Sequence, residues 1–483
     1  MPGMPVSPHY LPDPRIAELG PEFSDPVRPA DFPQTVLRFR NDRAAASVGL
    51  DTLSDAEWTQ SFGRFAPLPG NLPTPLALRY HGHQFRVYNP DLGDGRGFLF
   101  AQLREGGAPE GRLLDLGTKG SGQTPWSRAG DGRLTLKGGV REVLATAMLE
   151  ALGVPTSRSF SLIETGEALE RSDEPSPTRS AVLVRLGWSH LRFGSFQRPA
   201  FHARADLIEA LTRHVAALYY PQLDAALPVG ELAPALFRAV LTRTAELCAR
   251  WMAAGFVHGV LNTDNMNVNG ESFDYGPYRF LPRNDPNFTA AYFDHSGLYA
   301  FGRQPEAVFW NLQQLAGCLT LVAAPEPLVE TLNGFGAAYR DGLRRAMLAR
   351  LGVKSRDEAA DIALVNLAFR ALAEGGEALR WEPFFFDWFG GPASEARALT
   401  GPRAEVYAQP AGQAFRSALA GFVPDRPERL ADPVFARPEP EELLYPQIEA
   451  IWDAIARDDD WAPFHAKLDR LEKARQAWDL TLK

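Results

Sequence analysis

HGVLNTDNMNVNGESFDYGP, residues 258–277, places three carboxylates and four asparagines in twenty residues, directly after a helical pattern. Asn-Gly between alternating apolar residues is a strong short signal for a β-hairpin. A two-residue turn at Asn269-Gly270 predicts that Asn265 lies opposite Asp274. Directly opposed side chains have Cβ atoms about 4.5–5.5 Å apart. The pair would then offer oxygen ligands to a divalent metal; an ordinary Asn- and Asp-rich turn is the alternative interpretation.

The same stretch follows the order of protein-kinase motifs in part. A kinase catalytic loop reads H-R-D-L-x-x-x-N and is followed by a metal-binding D-F-G. The matching positions are His258, Leu261, Asn265 and Asp274-Tyr275-Gly276. Val260 stands where a kinase has its catalytic aspartate, so a conventional base is missing. Asp264, which precedes the predicted metal ligand, is the substitute carboxylate.

A kinase also needs a strand lysine for the phosphates and a helix glutamate that holds the lysine. Lys119 follows an alternating apolar run, and Glu142 lies on a helix that Gly153 and Pro155 are predicted to end. Glu142 faces away from the apolar stripe of this helix. The residues alone therefore favour a solvated carboxylate over an ion-pair partner.

Two glycine-rich turns, GDGR at 93–96 and GDGR at 130–133, could bring backbone N–H groups close to phosphate. Taken singly, each is only a turn. Elsewhere, FLFAQL at 98–103 and SAVLVRL at 180–186 are typical of strands. From about Asp206 the pattern becomes helical. These segments predict an α+β chain with a sheet-containing first part and a mostly helical second part.

Composition limits the classes of function. A chain of 483 residues with 45% hydrophobic content predicts more than one lobe or domain. A net charge of -9 without a long Lys/Arg run argues against a nucleic-acid partner. The two cysteines do not form a CxxC pair, which argues against a disulfide framework. No secretory leader or membrane-spanning apolar run is evident, so we expect a cytoplasmic protein without a membrane partner.

Several blocks in this order resemble the selenoprotein O family, the kinase-like protein adenylyltransferases. The blocks are GHQF and NPDLGDGR (82–96), KGSGQTPWSRAGDGR (119–133), REVLATAMLEALGVPTSRS (141–159), VRLGWSHLRFGSF (184–196), GFVHGVLNTDNM (255–266), DYGP (274–277) and GRQPEAVFWNLQQLA (302–316). They cover most of residues 80–320, and the resemblance is weak beyond about residue 330. Together they are far more specific than any single motif.

The resemblance implies that ATP binds reversed, with its γ-phosphate inward, and that AMP passes to a Ser, Thr or Tyr hydroxyl of a protein substrate. It implies Asp264 as the proton acceptor and Asn265 with Asp274 as ligands of Mg²⁺ or Mn²⁺. Lys119 would contact the inner phosphates, with Glu142 as its ion-pair partner. The remaining implied nucleotide-binding residues are Gly93, Gly95, Arg96, Asp131, Gly132, Arg185 and Arg192. Without the resemblance, both Arg185 and Arg192 would be interpreted as surface arginines.

The implied fold is a bilobal, protein-kinase-like fold with terminal extensions, in a chain expected to be a monomer. The expected segments are a Pro-rich wrapping extension with short helices (1–75), a sheet-containing N-lobe (76–200), a helical C-lobe (201–422) and a C-terminal strap with helices (423–483). The alternatives are a phosphotransferase, a non-catalytic nucleotide-binding pseudokinase scaffold, and a metal protein that uses His81 and His83. The missing base at Val260 argues against the first, and the retained metal ligands argue against the second.

Overall fold

An antiparallel sheet in the first part of the chain and a set of helices in the second part make up the fold. The computed structural model describes residues 6–172 and 174–480. Residues 1–5 and 481–483, which belong to the two predicted terminal extensions, lie outside the described part. The predicted α+β class is confirmed at this level.

The strands are β1 (Ser24–Pro26), β2 (Val36–Arg40), β3 (Leu76–Leu78), β4 (Gly82–Gln84), β5 (Val87–Asn89), β6 (Leu99–Arg104), β7 (Leu113–Lys119), β8 (Leu134–Thr135), β9 (Arg158–Leu169), β10 (Thr178–Gly187), β11 (Phe256–Val257) and β12 (Arg279–Phe280). Within the described residues, one sheet has the order β1-β3-β6-β7-β10-β9-β2, and β8 pairs with β10. The two strands predicted from FLFAQL and SAVLVRL are confirmed as β6 and β10. The first 75 residues contain the predicted short helices but also supply β1 and β2, which their Pro-rich pattern did not predict.

Side chains of the central strands alternate between two cores, as the two-residue period of a strand requires. On β10, Leu183 packs with the core beneath the long helices, whereas Val182 and Val184 pack with a second core. The second core contains Trp58 and Phe62 of a short N-terminal helix. Both faces of the sheet are therefore covered, which fixes the register of β7 and β10 relative to each other.

The helices are α1 (Asp42–Ala46), α2 (Asp55–Phe62), α3 (Leu136–Ala151), α4 (Phe193–Phe201), α5 (Ala205–Tyr219), α6 (Val229–Ala253), α7 (Gln304–Leu319), α8 (Pro325–Asn333), α9 (Phe335–Leu351), α10 (Glu358–Gly375), α11 (Trp381–Trp388), α12 (Glu395–Thr400), α13 (Ala404–Tyr407), α14 (Pro410–Leu419), α15 (Tyr445–Asp458) and α16 (Ala462–Trp478). Among the described helices, none is both long and apolar enough to cross a membrane.

Helix α3 ends where the sequence predicted. The side chain of Thr135 caps its first turn by accepting a hydrogen bond from the Gly138 N–H at 3.1 Å. Gly153 follows the helix with a φ of +70°, and a Cβ built there would lie 2.6 Å from the carbonyl oxygen of Leu480. Glycine is therefore required both by the backbone conformation and by the close approach of the C-terminal segment.

Candidate active site

A cavity of about 650 Å³ lies between the sheet and the segments that follow α6, and we call it the main cavity. Small-molecule sites have volumes of about 300–1,000 Å³. Its lining includes ten of the sequence-predicted site residues: Gly93, Gly95, Arg96, Lys119, Asp131, Gly132, Arg185, Arg192, Asp264 and Asp274. Asn265 is the predicted site residue that the structure does not place in this lining. The lining contains seven cationic side chains and four carboxylates, which favours a negatively charged ligand.

Lys119, Glu142 and Asp274 form a buried charge cluster at the inner end of the main cavity. Lys119, the last residue of β7, donates from Nζ to Glu142 Oε1 and also to Asp274 Oδ1, the latter at 2.5 Å. Arg185 on β10 completes the cluster, because its Nη1 lies 3.4 Å from Asp274 Oδ1. The side chains of Lys119 and Glu142 are only 5% and 2% exposed, so each needs the opposite charge of the other.

The expectation from the residues alone that Glu142 is a solvated carboxylate is wrong. α3 packs against both the sheet and α16, so its buried surface extends beyond the single stripe that a helical wheel shows. Without the family resemblance, Arg185 and Arg192 would be expected at the surface, and this expectation is also wrong. Both are buried, at 6% and 3% exposure.

Asp274 stays ionised because of the cations around it. Its removal from water would by itself raise the pKa of this carboxyl group, but Lys119, Arg185 and Arg96 hold the pKa well below its usual value. Asp274 also has a φ of +65°, a conformation uncommon for a residue other than glycine. The side chain keeps 28% of its surface exposed, toward the cavity. A permanent negative charge therefore borders the cationic inner end.

Asp264 lies in a 3₁₀ turn, Thr263–Asn265, that is tied to two neighbouring elements. The Thr263 hydroxyl accepts a hydrogen bond from His83 N at 2.7 Å and donates one to Gln197 Oε1 at 2.6 Å. Within the described part of the chain, Asp264 Oδ1 is buried without a hydrogen-bond partner. Burial raises the pKa of Asp264 to about 6, against the opposing effect of Arg192. A carboxylate with this pKa accepts a proton more readily than an ordinary aspartate does.

Gly82 makes room for the Asp264 carboxylate. A Cβ at position 82 would lie 2.9 Å from Asp264 Oδ1 and 3.2 Å from Asp264 Cβ, closer than a side chain can approach without displacing its neighbour. Position 82, between His81 and His83, therefore requires glycine, because a side chain there would displace the candidate base Asp264. The sequence offered no signal for it, because the two residues are far apart in the chain.

Arg192 positions the turn that carries Asp264. Its Nη1 donates to the backbone oxygen of Asp264 at 3.1 Å, and its Nη2 donates to Asp94 Oδ1 at 3.3 Å. Its guanidinium lies 4.2 Å from the centre of the Tyr80 ring. Arg192 is therefore largely engaged with the protein. Arg185 differs, because its Nε is buried without a hydrogen-bond partner among the described residues.

The predicted hairpin at Asn269-Gly270 is wrong. The backbone N–H of Val268 donates to Leu191 O at 3.1 Å, and that of Ser272 donates to Pro155 O at 2.9 Å. The two flanks of the turn therefore pair with other segments rather than with each other. Asn269-Gly270 still forms a turn, in which Gly270 has a φ of +69°.

Asn265 is consequently not held opposite Asp274 by a strand ladder. Its Nδ2 donates to the carbonyl oxygen of Val260 at 2.8 Å. The side-chain oxygen of Asn265, Oδ1, takes no part in that contact. The structure brings Asp264 and Asp274 to the same cavity, with Asn265 at the turn beside them.

The glycine-rich turns surround the main cavity but are also packed against protein. A Cβ at Gly93 would lie 2.3 Å from Cγ of Trp126, so this glycine allows the close approach of the tryptophan ring. Asp131 accepts a hydrogen bond from Arg133 N at 2.9 Å and forms an ion pair of 2.8 Å with Arg171. Arg171, Arg133 and Asp94 also line the cavity and were not predicted as site residues.

Among the described residues, no group of three or more His, Cys, Asp or Glu side chains is placed to hold a metal ion. His81 and His83 are engaged elsewhere, with Nδ1 atoms 2.8 Å from the Tyr88 hydroxyl and 2.7 Å from Gln197 Nε2. The metal protein based on these histidines is therefore not supported. For Mg²⁺ or Mn²⁺ the available donors are the oxygens of Asp264, Asn265 and Asp274, and one of them, Asp264 Oδ1, lacks a partner. This donor set fits a hard divalent cation.

Comparisons with known proteins agree with this geometry. The family model "Protein adenylyltransferase SelO" matches residues 9–472. The chain is 47% identical over 474 residues to protein nucleotidyltransferase YdiU of Synechococcus elongatus, covering 95% of this chain and 94% of the relative. A protein of the same name from Gloeobacter violaceus is 46% identical over 469 residues, with 95% of each covered. That of Pseudomonas putida is 40% identical over 366 residues, covering 75% and 73%.

The chain belongs to the protein adenylyltransferase SelO family and is a nucleotidyltransferase that adenylylates proteins. The family match extends beyond the blocks that carry the resemblance, from residue 9 to residue 472.

Proposed function

We propose that this member of the family binds ATP with the γ-phosphate at the inner, cationic end of the main cavity and transfers AMP to a Ser, Thr or Tyr hydroxyl. The main support for the proposal is that a cationic cluster and a candidate base occupy different parts of one cavity. The Lys119, Arg185 and Asp274 cluster lies at one end, and the partner-free carboxylate oxygen of Asp264 lies in a separate turn. A triphosphate suits the cluster, and an acceptor hydroxyl suits Asp264.

The reaction exchanges a phosphoanhydride bond of ATP for a phosphodiester bond between AMP and the acceptor protein. The acceptor oxygen attacks the α-phosphorus of ATP, and its proton passes to Asp264. The bond between the α-phosphorus and the bridging oxygen to the β-phosphate breaks, and the electron pair leaves with pyrophosphate. Lys119 and Arg185 would stabilise that leaving group with charge-assisted hydrogen bonds.

Asp274 and Asn265 would hold Mg²⁺ or Mn²⁺, with Asp264 beside them. When bound, such an ion polarises the phosphate oxygens and orients them. Support comes from the oxygen-only donor set and from the depressed pKa of Asp274, which keeps that carboxylate ionised. Lys119 contacts the same carboxylate, so a metal bound to Asp274 would compete with this contact.

Arg192 would act mainly by positioning Asp264, and Arg185 by contacting the inner phosphates. This division follows from their hydrogen bonds: Arg192 donates to Asp264 O and Asp94, while Nε of Arg185 has no partner among the described residues. Gly93, Gly95, Arg96, Asp131 and Gly132 would border the rest of the nucleotide.

The proposal extends to the architecture. The sheet-containing part, 76–200, and the helical part, 201–422, would correspond to the two lobes of a kinase-like fold, with extensions at 1–75 and 423–483. Support comes from the lining of the main cavity, to which the sheet contributes Lys119 and Arg185 and the segment after α6 contributes Asp264 and Asp274.

The test is incubation of the enzyme and an acceptor protein with ATP labelled on either the α- or the γ-phosphate. We expect the α label on protein and the γ label in released pyrophosphate. Transfer of the γ label to protein would contradict the proposed orientation of ATP. Mass spectrometry of the labelled peptides identifies the modified hydroxyl.

A further inference from the structure

A second cavity, of about 470 Å³, adjoins the main cavity on the side away from Asp264. Four side chains line both cavities, namely Arg96, Lys119, Arg133 and Arg171, and so form the wall between them. Glu142 faces the second cavity, while Asp274 faces the main cavity. The Lys119 ammonium group therefore lies between the two cavities.

The second cavity carries an excess of positive charge. Seven cationic side chains and two carboxylates line it. Four of the cations have carboxylate partners: Lys119 with Glu142, Arg133 with Glu167, Lys137 with Glu449, and Arg171 with Asp131. Within the described residues, Arg96, Arg141 and Arg279 form no ion pair. A cavity lined by several guanidinium groups without a direct ion pair favours a polyanion.

Arg141 and Arg279 form the most distinctive part of the lining. Nε and Nη2 of Arg141 are buried without a hydrogen-bond partner in the described part of the chain. Arg279 donates from Nη1 only to the carbonyl oxygens of Pro277 and Tyr278, at 2.8 Å each. Both guanidinium groups lie near the Tyr445 ring, at 6.0 Å and 3.8 Å from its centre.

These two arginines repel each other. Burial lowers the pKa of Arg279, and the nearby charge of Arg141 lowers it further. Glu449 opposes this lowering only as a weaker effect, and neither guanidinium group forms an ion pair among the described residues. Both groups therefore keep donors that an anion could satisfy. An unmade buried hydrogen bond costs free energy, and a bound anion would recover it.

We propose that the second cavity receives the pyrophosphate that AMP transfer releases and serves as its route out of the enzyme. The inference rests on the proposed function, in which the leaving group forms beside Lys119. The acceptor protein would cover the side of the main cavity near Asp264. Pyrophosphate would then move past the shared wall toward Arg141 and Arg279, where its several negative charges meet planar, two-pronged donors.

The far side of the second cavity opens to solvent. Tyr292 and Phe293 line it and are 78% and 43% exposed. The shared wall consists of long side chains, which can change rotamer without a backbone movement. Passage would involve rotamer changes of Lys119 and the arginines of the shared wall, with the anion taking over contacts that their carboxylate partners now make.

The proposal is tested by measuring pyrophosphate binding while the main cavity is filled. The enzyme is saturated with α,β-methylene ATP and excess Mg²⁺, and pyrophosphate is titrated by calorimetry. We expect one molecule of pyrophosphate to bind to this saturated enzyme. If none binds, the second cavity is not a pyrophosphate site and the inference fails.

The same titration on Arg141→Gln, Arg279→Gln and the double variant locates the site. We expect each single variant to bind pyrophosphate about 10-fold more weakly, the scale of one lost charge-assisted hydrogen bond. Binding of α,β-methylene ATP should be unchanged, which also shows that the variants fold. The control is Arg345→Gln with Arg457→Gln, which removes two exposed positive charges elsewhere. Equal pyrophosphate affinity in the wild type and the double variant would overturn the assignment.

Failure of this inference and failure of the proposed function give different results. Transfer of the γ label from ATP to protein would contradict the reversed nucleotide. Transfer of the α label, combined with no pyrophosphate binding to the saturated enzyme, would contradict the exit route alone. A kinetic readout supports the distinction, since slower pyrophosphate release in the double variant should lower the steady-state rate but leave the first turnover unchanged.

Discussion

Lys119 Nζ lies 2.5 Å from Asp274 Oδ1, so the cation proposed for the inner phosphates directly contacts the carboxylate proposed for the metal. Each group neutralises the charge of the other. Because Glu142 holds the same ammonium group, Lys119 is shared by two carboxylates. Binding of a metal–nucleotide complex would replace one of these contacts.

The shared lysine predicts a competition between Lys119 and the metal. The double variant Lys119→Met, Glu142→Gln removes the lysine. The second substitution is needed because Glu142 would otherwise remain as a buried carboxylate without its partner. We expect Mn²⁺ to bind about 10-fold more tightly than to the single variant Glu142→Gln, because a charge-assisted hydrogen bond no longer competes. Paramagnetic resonance of free Mn²⁺, measured without nucleotide, gives both affinities. An unchanged or weaker affinity would remove Asp274 as a ligand, and AMP transfer should be lost in the double variant.

The contacts of Arg192 predict a defect in turnover rather than in nucleotide affinity. Arg192→Lys keeps the charge but cannot reach Asp264 O and Asp94 together. We expect the rate of AMP transfer to fall about 10- to 100-fold through misplacement of Asp264. ATP affinity, measured by calorimetry, should stay within a few-fold of the wild type. The matched control is Arg198→Lys on α4, the helix that begins directly after Arg192. An Arg192→Lys rate equal to that of this control would refute the positioning role.

The steric contact between Gly82 and Asp264 gives a test that changes no charge. In Gly82→Ala the new methyl group would lie 2.9 Å from Asp264 Oδ1, so the carboxylate must move. We expect AMP transfer to slow by about 10-fold or more, with ATP binding retained. Gly317→Ala is the control, because a Cβ at Gly317 meets no atom within 4 Å. Single-turnover rates of the two variants should differ; equal rates would mean that the position of Asp264 is not critical.

Local patterns predicted the parts of the fold that depend on local contacts. β6, β10 and α3 follow from alternation, helical periodicity and capping. The hairpin failed because the choice of backbone partner is non-local: the Val268 N–H pairs with Leu191, and the Ser272 N–H with Pro155. A turn signal specifies the turn but not what its flanks contact.

The candidate site shows the same limit. Lys119 and Asp274 could be predicted because their motifs keep a recognisable order. The burial of Glu142 could not, since a helical wheel shows one stripe and α3 is covered on several sides. Gly82 and Arg171 carry no local signal, because only the folded chain brings them to Asp264 and Asp131.

Glu271 predicts a pH-dependent stability. Burial raises the pKa of this carboxyl group from 4.5 to about 7, against the hydrogen bond donated by Trp188 N. Between pH 4.5 and 7 the folded state therefore keeps a proton that the unfolded state has lost. The stability contribution of this group thus falls as the pH rises through that window, by up to about 3 kcal/mol.

Glu271→Gln should remove this dependence, because a glutamine oxygen can still accept the hydrogen bond from Trp188 N. We expect the variant and the wild type to have similar melting temperatures near pH 4.5. The variant should become progressively more stable than the wild type up to pH 8. Calorimetric melting at several pH values measures the difference, and a difference that does not vary with pH would contradict a buried, proton-binding Glu271.

Asp264 and Val260 separate AMP transfer from phosphate transfer. Asp264 lines the main cavity, whereas Val260 is not among the described residues that line it. Asp264→Asn preserves the size of the side chain and removes its ability to accept a proton. We expect AMP transfer to fall about 10²–10⁴-fold, the usual scale for a positioned general base. ATP binding should survive, because Lys119 and Arg185 remain.

Val260→Asp restores the residue that a kinase would have at this position. It should not create a kinase, because in the proposed orientation the γ-phosphate lies beside Lys119, away from an acceptor hydroxyl. The backbone oxygen of Val260 accepts from Asn265 Nδ2 at 2.8 Å, and this contact does not depend on the side chain at position 260. The variant should therefore retain AMP transfer, with Asp264 as the base.

Both labels of ATP are followed on Val260→Asp, on Asp264→Asn and on the combined variant. Robust γ-phosphate transfer by Val260→Asp would require the terminal phosphate to reach the acceptor and would refute the reversed nucleotide. Undiminished AMP transfer by Asp264→Asn would instead remove Asp264 as the base and leave the orientation of ATP intact.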